Sequence, residues 1–414
     1  MKKILIITGF LIGLAGMARA DMWTRKADFP GLAEHIFTGL CIGSKGYIAF
    51  GEGTTNEWVQ DFWEYDPATN AWTQKAMVPT QGRAGGIAFA IGTKGYFGTG
   101  GWLDGFGSYY LNDLWEYDQN TNVWTYMESF DGGARGGAIG FSIGTKGYVG
   151  LGGWNHGYFS DLWSWNQTSG VWTQLADFPA ANFSGGHRTV GVGFSIGTKG
   201  YLGMGSGYDT ITHNDTLFHD FWEYDPLQNS WVRKADLPAG VRVTPVGFSI
   251  GNKGYIGMGS GNPNIIYNDF WEWDQATDTW TQKINYGGND TCVTTCFSIG
   301  NKGYVAQGWD RNHVKEFWEY DPDAWAGINE TTNPIKTTFS PNPFTAQTTI
   351  TIAGNTSNAS LHIFNIHGQK VKTIAVGNKR EIVLNREGMP QGVYFYEVKN
   401  SDNLVLSSGK MVVE

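Results

Sequence analysis

The chain has 414 residues, carries a formal net charge of −9, and is rich in glycine and aromatic side chains. Its 59 glycines are about twice the usual share, and only 16% of its residues are charged. This composition, without a three-residue glycine period, excludes a collagen-like fibre, and the acidic balance gives no support to nucleic-acid binding. A helical fold is also disfavoured, because glycine costs about 1 kcal/mol inside a helix.

The first twenty residues have the pattern of a secretory signal peptide. Lys2 and Lys3 precede an apolar run over residues 4–17, and the small residues Ala18 and Ala20, in an A-x-A pattern, indicate cleavage before Asp21. No later apolar run has the length of a transmembrane helix. We therefore expect residues 1–20 to be removed from an exported chain that has no transmembrane segment.

Three short elements recur at intervals of about 50 residues along residues 21–330. A turn of the form I-G-(S/T/N)-K-G-Y occurs six times, an acidic residue followed by (F/L)-W occurs six times, and a second Trp follows most of these. Each unit predicts four strands, named a to d: small apolar residues in a, b after the turn, the acidic-x-Trp element in c, and the second Trp in d. We expect the two tryptophans of each unit to lie in its core.

The sixth unit lacks a strand d of its own. The segment from Trp23 to Pro30 closely matches the strand d that begins at Trp231. We therefore predict that the N-terminal strand completes the sixth unit, which closes the ring and removes an open sheet edge.

These repeats resemble those of a six-bladed kelch-type β-propeller. The resemblance rests on the K-G-Y turns, the paired tryptophans and the doublets Gly100-Gly101 and Gly152-Gly153. The predicted propeller is similar to the central domain of galactose oxidase and to bacterial sialic-acid mutarotases. The predicted fold is all-β: a propeller over residues 21–330, a linker over 331–339 and a small Ig-like β-sandwich over 340–414.

Residues 340–414 resemble the type A C-terminal sorting domain of the type IX secretion system of Bacteroidota. The matching stretches are Ser340–Phe344, Leu361–Val371, Pro390–Phe395 and Gly409–Val413. The resemblance implies export through the periplasm and outer membrane, with the translocation and sorting machinery as the partner. It also implies release into the medium or attachment to the cell surface. An ordinary Ig-like accessory domain is the alternative.

Ligand-binding residues are expected on the propeller face that carries the b–c and d–a loops, because these loops vary between units. Four d–a loops place an arginine in the same register, and blade 1 has Glu34 and His35 there. Converging guanidinium groups would bind a carboxylate or sulfate, whereas the alternative is that each one holds neighbouring loops together. The four arginines are Arg83, Arg135, Arg188 and Arg242.

The b–c loops also carry aromatic residues outside the repeat register. Flat rings beside polar residues are suited to stacking on sugars or anchoring a protein partner, and packing of the loops on one another is the alternative. The candidates are Trp58, Trp102, Tyr110, Trp154, Tyr208 and Trp309.

Together these features predict a secreted or cell-surface protein that binds a glycan or a protein through its b–c/d–a face, as a monomer without cofactor or metal. A sugar-active enzyme on the same face is the alternative, with Glu34, His35 and the arginines as a mutarotase-like set. Copper chemistry of the galactose-oxidase kind is less favoured, because the histidines show no repeating ligand spacing. Cys41, Cys292 and Cys296 show no zinc or C-x-x-C spacing, and their state stays open.

Overall fold

The elements of regular structure in the described part of the chain are all β-strands. A computed structural model describes residues 19–31, 33–35, 38–53, 57–104, 107–154, 157–179, 188–209, 214–261, 265–288, 294–308, 314–325, 336–353, 359–365, 369–377, 379–400 and 405–414. Contacts divide the chain into two compact units, one over Ala20–Ala324 and one that contains Trp325–Glu414. No helix in these ranges is long and apolar enough to cross a membrane.

The first unit contains six four-stranded antiparallel sheets, the blades of the propeller. Blade 1 contains Thr38–Ile42, Lys45–Ala49, Phe62–Asp66 and Ala71–Gln74, and blade 2 contains Ile87–Ile91, Lys94–Gly98, Leu114–Asp118 and Val123–Tyr126. Blade 3 contains Ile139–Ile143, Lys146–Gly150, Leu162–Asn166 and Trp172–Gln174, and blade 4 contains Val192–Ile196, Lys199–Gly203, Phe221–Asp225 and Ser230–Arg233. Blade 5 contains Val246–Ile250, Lys253–Gly257, Phe270–Asp274 and Thr279–Gln282.

Blade 6 is completed by the N-terminal strand, as predicted. Its strands a to c are Thr295–Ile299, Lys302–Gly308 and Val314–Trp325, and Arg19–Arg25 forms strand d beside strand c. The carboxylate of Asp21 accepts hydrogen bonds from the Ile284 amide and the Tyr320 hydroxyl, at 2.8 and 3.4 Å. The six strands a contact one another in sequence, and the first contacts the last. The ring of the propeller is therefore closed.

Turn residues follow the backbone that each turn requires. The first glycine of all six a–b turns has φ between 58° and 61°, a conformation that other residues rarely adopt. At the c–d turns, Asn70, Asn122, Asn229 and Asp278 have φ between 48° and 57°, and Gly170 has φ 70°. Asn and Asp tolerate this left-handed conformation better than most side chains do.

Large, fully buried rings lie two residues after the strand c tryptophans. Tyr65, Tyr117, Trp165, Tyr224, Trp273 and Tyr320 are fully buried. Each of the six units has one repeated tryptophan in strand c and one in strand d, which we call the twelve register tryptophans. They are Trp63, Trp115, Trp163, Trp222, Trp271 and Trp318 in strand c, and Trp72, Trp124, Trp172, Trp231, Trp280 and Trp23 in strand d. Only Trp23 and Trp172 are buried, and the other ten are half-buried. The expectation that all twelve lie in the core holds for Trp23 and Trp172, and nine of the other ten are partly buried and pack against the core clusters. Their indole rings cover the blade interfaces, and several of their N–H groups donate to carbonyls of the adjacent blade.

The second unit is a small β-sandwich. One sheet contains Lys336–Ser340, Gln347–Ala353 and Glu381–Asn385, and the other contains Ser360–Phe364, Lys370–Ala375, Gly392–Lys399 and Val405–Val413. Ile350 and Leu384 from the first sheet share a core with Leu361 and Val398 from the second. The alternating buried and exposed residues of these strands match a two-layer packing with one solvated face on each sheet.

Candidate ligand-binding site

Short hairpins form the b–c loops of blades 2 to 5. They pair Gly101–Asp104 with Gly107–Tyr110, Gly153–Trp154 with Gly157–Tyr158, Ser206–Asp209 with Asn214–Leu217, and Ser260–Gly261 with Ile265–Ile266. In blade 1, Ala33–His35 pairs with Glu52–Gly53. The d–a loops also bridge these hairpins, for example through Ala84 with Gly101 and Gly136 with Gly153. The two sets of loops therefore share one face.

The four register arginines lie beneath this face and are buried. Arg83, Arg135 and Arg242 are fully buried and Arg188 is 3% exposed. Each guanidinium donates to both carboxylate oxygens of the aspartate immediately before strand c in its own blade. The pairs are Arg83–Asp113, Arg135–Asp161, Arg188–Asp220 and Arg242–Asp269, with distances of 2.5 to 3.0 Å.

Each of these arginines also joins two blades through its main chain. The Arg188 carbonyl accepts a hydrogen bond of 2.7 Å from the Gly152 amide, at the end of strand b in the preceding blade. The Gly51 amide donates in the same way to the Arg83 carbonyl, at 2.9 Å. Equivalent bonds are made to the carbonyls of Arg135 and Arg242. These contacts favour the structural interpretation of the arginines over the anion site, because the Nη1/Nη2 edge of each guanidinium already faces a carboxylate.

The Arg188–Asp220 pair alters the acidity of the carboxyl group. Burial alone raises the pKa of Asp220, but the hydrogen bonds and positive charge of Arg188 outweigh it and place the pKa below its usual range. The indole of Trp222 donates to the same carboxylate at 2.8 Å. Asp220 is therefore held ionised inside the propeller.

A cavity of about 450 Å³ opens on the b–c/d–a face over blades 1 to 4. Its aromatic walls are Trp58, Trp102, Tyr110 and Tyr158. The indole of Trp58 donates to the Leu103 carbonyl at 2.8 Å and so ties blade 1 to the hairpin of blade 2. The remaining lining residues are Ala84, Gly85, Gly101, Leu103, Ser108, Gly136, Gly137, Gly153, Thr189 and Val190. We call this cavity the aromatic pocket.

Glycines make room for two rings of the aromatic pocket. A Cβ atom on Gly136 would lie 3.0 Å from Cε1 of Tyr110, and one on Gly101 would lie 3.0 Å from its Cδ1. A Cβ atom on Gly153 would lie 2.6 Å from Cδ1 of Tyr158. Gly101 and Gly153 are the second members of the Gly-Gly doublets of blades 2 and 3. In blades 4 and 5 a serine takes that position.

The floor of the aromatic pocket is backbone. Gly85, Gly137 and Val190 occupy equivalent positions in successive d–a loops and have φ of 63°, 63° and 48°. The Gly137 amide donates to the Gly85 carbonyl at 2.9 Å, and the Val190 amide donates to the Gly137 carbonyl at 3.0 Å. At the two glycines, no side chain projects from the floor into the pocket. Hydrogen bonds between the d–a loops of neighbouring blades hold the floor in place.

Three of the aromatic candidates meet in this pocket: Trp58, Trp102 and Tyr110. The backbones of Glu34, His35, Trp154 and Tyr208 lie in the loop strands, but their side chains are outside the described part of the chain, as is the whole of Trp309. Sequence reasoning did not select Leu103, Ser108, Thr189 or Val190. The Gly-Gly doublets of blades 2 and 3 were the available indication of where this pocket forms.

The described cysteines are free thiols. Burial raises the pKa of Cys41 to about 11 and that of Cys296 to about 12, so both thiols stay protonated and unreactive at neutral pH. Cys292 lies outside the described residues. Within the described ranges, no group of three His, Cys, Asp or Glu side chains is placed to hold a metal ion.

Comparison with known proteins assigns both units. The family model of the secretion system C-terminal sorting domain matches residues 338–414. Within the chain, 110 residues are 31% identical to N-acetylneuraminate epimerase of Shigella sonnei, and 120 residues are 28% identical to Kelch-like protein 25 of Xenopus tropicalis. The solved structure of YjhT superposes with a TM-score of 0.56 at 15% identity, over 71% of this chain and 95% of that one, which shows the fold alone. The chain is a kelch-type β-propeller with a C-terminal sorting domain.

The sorting domain marks the kelch propeller for export by the type IX system, to the cell surface or the medium. The two matches to curated proteins cover 26% and 28% of this chain. They span only 30% of the epimerase and 20% of the Kelch-like protein. The activities in those names therefore belong to the relatives.

Proposed function

We propose that this exported kelch propeller is a binding protein that recognises an extracellular glycan or protein at the aromatic pocket. The observation that carries the proposal is the convergence of Trp58, Trp102, Tyr110 and Tyr158, from three different blades, around one cavity of about 450 Å³. Ligand pockets are typically concave sites of this size, lined by aromatic residues with a few polar groups.

The rings of the pocket are held in place before a ligand arrives. Trp102 stacks on Tyr109 with ring centroids 5.2 Å apart and an interplanar angle of 13°. Trp58 is fixed by its hydrogen bond to Leu103, whose own side chain is 59% exposed at the rim. Such preorganisation lowers the entropy lost when a ligand orders the site.

A sugar-active enzyme is the second candidate, favoured by the 31% identity to N-acetylneuraminate epimerase over 110 residues. Against it, the four arginines of the proposed catalytic set are bound to aspartates in the blades. Among the described residues, the ionisable side chains that line the pocket are the phenols of Tyr110 and Tyr158. Binding by stacking and hydrogen bonding can use the described lining residues, whereas acid–base catalysis needs ionisable groups beyond these two phenols.

The test measures binding of the full mature chain to arrays of glycans and of extracellular proteins. Trp102→Ala and Tyr110→Ala should each weaken binding by about tenfold or more, because each removes an aromatic ring that lines the pocket. Tyr126→Ala is the matched control, since Tyr126 is 53% exposed on the outer strand of blade 2 and should bind within about twofold of the wild type. Unchanged binding by both pocket variants would contradict this location, and turnover of a bound sugar would favour the enzyme.

A further inference from the structure

We infer that the aromatic pocket takes an uncharged sugar ring, so that its ligand is a neutral glycan rather than a sialylated, uronate-containing or sulfated one. This inference rests on the proposed function and narrows it to one chemical class.

The first argument is the state of the cations beneath the pocket. A carboxylate or sulfate ligand is usually bound by an arginine with a free guanidinium edge. Arg135 and Arg188 are the arginines of blades 3 and 4, on whose loops part of the pocket is built, and each is held at both terminal nitrogens by an aspartate. Aromatic rings cover them further, with the ring centroid of Phe159 3.8 Å from the Arg135 guanidinium carbon and that of Phe218 4.1 Å from the Arg188 guanidinium carbon. Freeing either cation for a ligand would leave Asp161 or Asp220, whose side chains are 15% and 5% exposed, without its counterion.

The second argument is the chemistry of the lining. Among the described residues that line the pocket, the polar side-chain groups are hydroxyls and indole N–H groups. The hydroxyl-bearing residues are Ser108, Tyr110, Tyr158 and Thr189, and a hydroxyl group can both donate and accept a hydrogen bond. Neutral donors and acceptors beside flat rings match a sugar, whose faces carry C–H groups and whose edges carry hydroxyls.

The third argument is shape. Gly85 and Gly137 give the floor two positions without a side chain, and a Cβ on Gly137 would lie 2.3 Å from the Thr189 hydroxyl oxygen. The wall carries the ring of Trp102, stacked on Tyr109. A pyranose chair can place one face of C–H groups against the aromatic wall and its hydroxyls toward the bare backbone of the floor, whereas a bulky branched side chain of a protein partner fits this space less well.

The fourth argument is the charge of the whole chain. Its 38 acidic residues exceed its 29 basic residues, so an acidic glycan approaches against a repulsive field. This repulsion is screened by salt, whereas stacking and hydrogen bonding to a neutral sugar are almost insensitive to it.

The experiment measures binding of the full mature chain to matched pairs of glycans that differ only by one carboxylate or sulfate. Each affinity is measured at about 50 mM NaCl, where charges are weakly screened, and at about 500 mM NaCl, where they are strongly screened. The neutral member of a pair should bind about tenfold more tightly, and its affinity should change by less than about twofold between the two salt concentrations. Leu103→Arg adds a cation at the exposed rim and should raise the affinity of the acidic member by about threefold to tenfold.

The failures are distinguishable. Equal or tighter binding of the acidic member, lost in Trp102→Ala, would overturn this inference and leave the proposed binding function standing. Capture of a protein alone at the same residues would also overturn only the inference. Absence of any glycan or protein ligand that depends on Trp102 or Tyr110 would overturn both.

Discussion

Arg188 and Asp220 face each other through two hydrogen bonds of 2.5 and 2.9 Å, with side-chain exposures of only 3% and 5%. The main-chain carbonyl of Arg188 also accepts a hydrogen bond from the amide of Gly152 in blade 3. Arg188 thus pairs with Asp220 inside blade 4 through its side chain and bonds to blade 3 through its main chain. What looks in the sequence like a repeating cationic site is a repeating joint between blades.

Breaking this joint should destabilise the propeller strongly. Arg188→Met or Asp220→Asn leaves the partner charge buried without its counterion, so we expect the free energy of unfolding to fall by about 3–5 kcal/mol. The double variant Arg188→Met/Asp220→Leu should lose less than either single variant. Urea denaturation followed by tryptophan fluorescence measures all three.

The exposed pair Arg233–Asp236 is the matched control for this prediction. Its side chains are 48% and 33% exposed, so Arg233→Met should cost less than about 1 kcal/mol. Similar losses for Arg188→Met and Arg233→Met would mean that burial of the Arg188–Asp220 pair contributes nothing.

The same pair should make stability depend on acid. The pKa of Asp220 is lower in the folded chain than its unfolded value of about 3.9, so the stabilisation is complete above pH 4, roughly, and disappears as pH falls through the folded pKa. Asp220→Asn cannot titrate, so the gap in unfolding free energy between wild type and variant should narrow below that pH. A gap that stays constant from neutral pH into the acid range would show that the pKa of Asp220 is not lowered.

A substitution in blade 3 should stabilise the propeller. The buried indole N–H of Trp165 has no hydrogen-bond partner among the described residues, whereas the equivalent Trp273 donates to Asp278 at 2.9 Å. Gly170 stands where Asp278 does, with φ 70°, and a Cβ atom added there would have no other atom within 4 Å. Gly170→Asn should supply the missing acceptor and raise the free energy of unfolding by about 1 kcal/mol.

Gly170→Ala separates this hydrogen bond from a change in backbone entropy. Alanine offers no acceptor and is strained at positive φ, so this variant should be less stable than the wild type by about 1 kcal/mol. A gain in stability from both variants would refute the hydrogen-bond explanation.

The aromatic pocket should be sensitive to one methyl group. In Gly136→Ala the new Cβ meets only the ring of Tyr110, at 3.0 and 3.3 Å, so the ring must shift while the blade stays intact. We expect ligand affinity to fall by about threefold to tenfold with less than about 1 kcal/mol lost in unfolding free energy. Gly107→Ala, in the same hairpin as Tyr110 and with nothing within 4 Å, is the control and should bind normally. Loss of binding in Gly107→Ala as well would point to the whole hairpin instead of the Tyr110 ring.

Repetition made most of the fold predictable from the sequence. The six glycine turns, the strand order of the blades and the use of the N-terminal segment around Trp23 as the last strand all follow from spacing, because each unit must form the same hydrogen bonds. The role of the twelve tryptophans was less predictable. Register identifies a repeated environment, but it does not distinguish a half-buried strand d ring, such as Trp72, from a buried ring at the same position, such as Trp172.

The candidate site was predictable only in part. Trp58, Trp102 and Tyr110 were recognisable as aromatic residues outside the repeat register. The fate of Arg135 was not, because its partner Asp161 lies 26 residues further on, and only the folded blade shows the two facing each other. Gly85 and Gly137 form the floor through hydrogen bonds between blades, a relationship that no local pattern records.

The pairing of Arg19–Arg25 with Val314–Trp325 has a further consequence. Because these two strands are antiparallel neighbours, the beginning and end of the propeller unit lie side by side in blade 6. The chain could therefore begin at a different blade without changing the order of the blades around the propeller axis. Opening the chain at another exposed turn and joining the old ends with a short linker should give a circular permutant with the same ring.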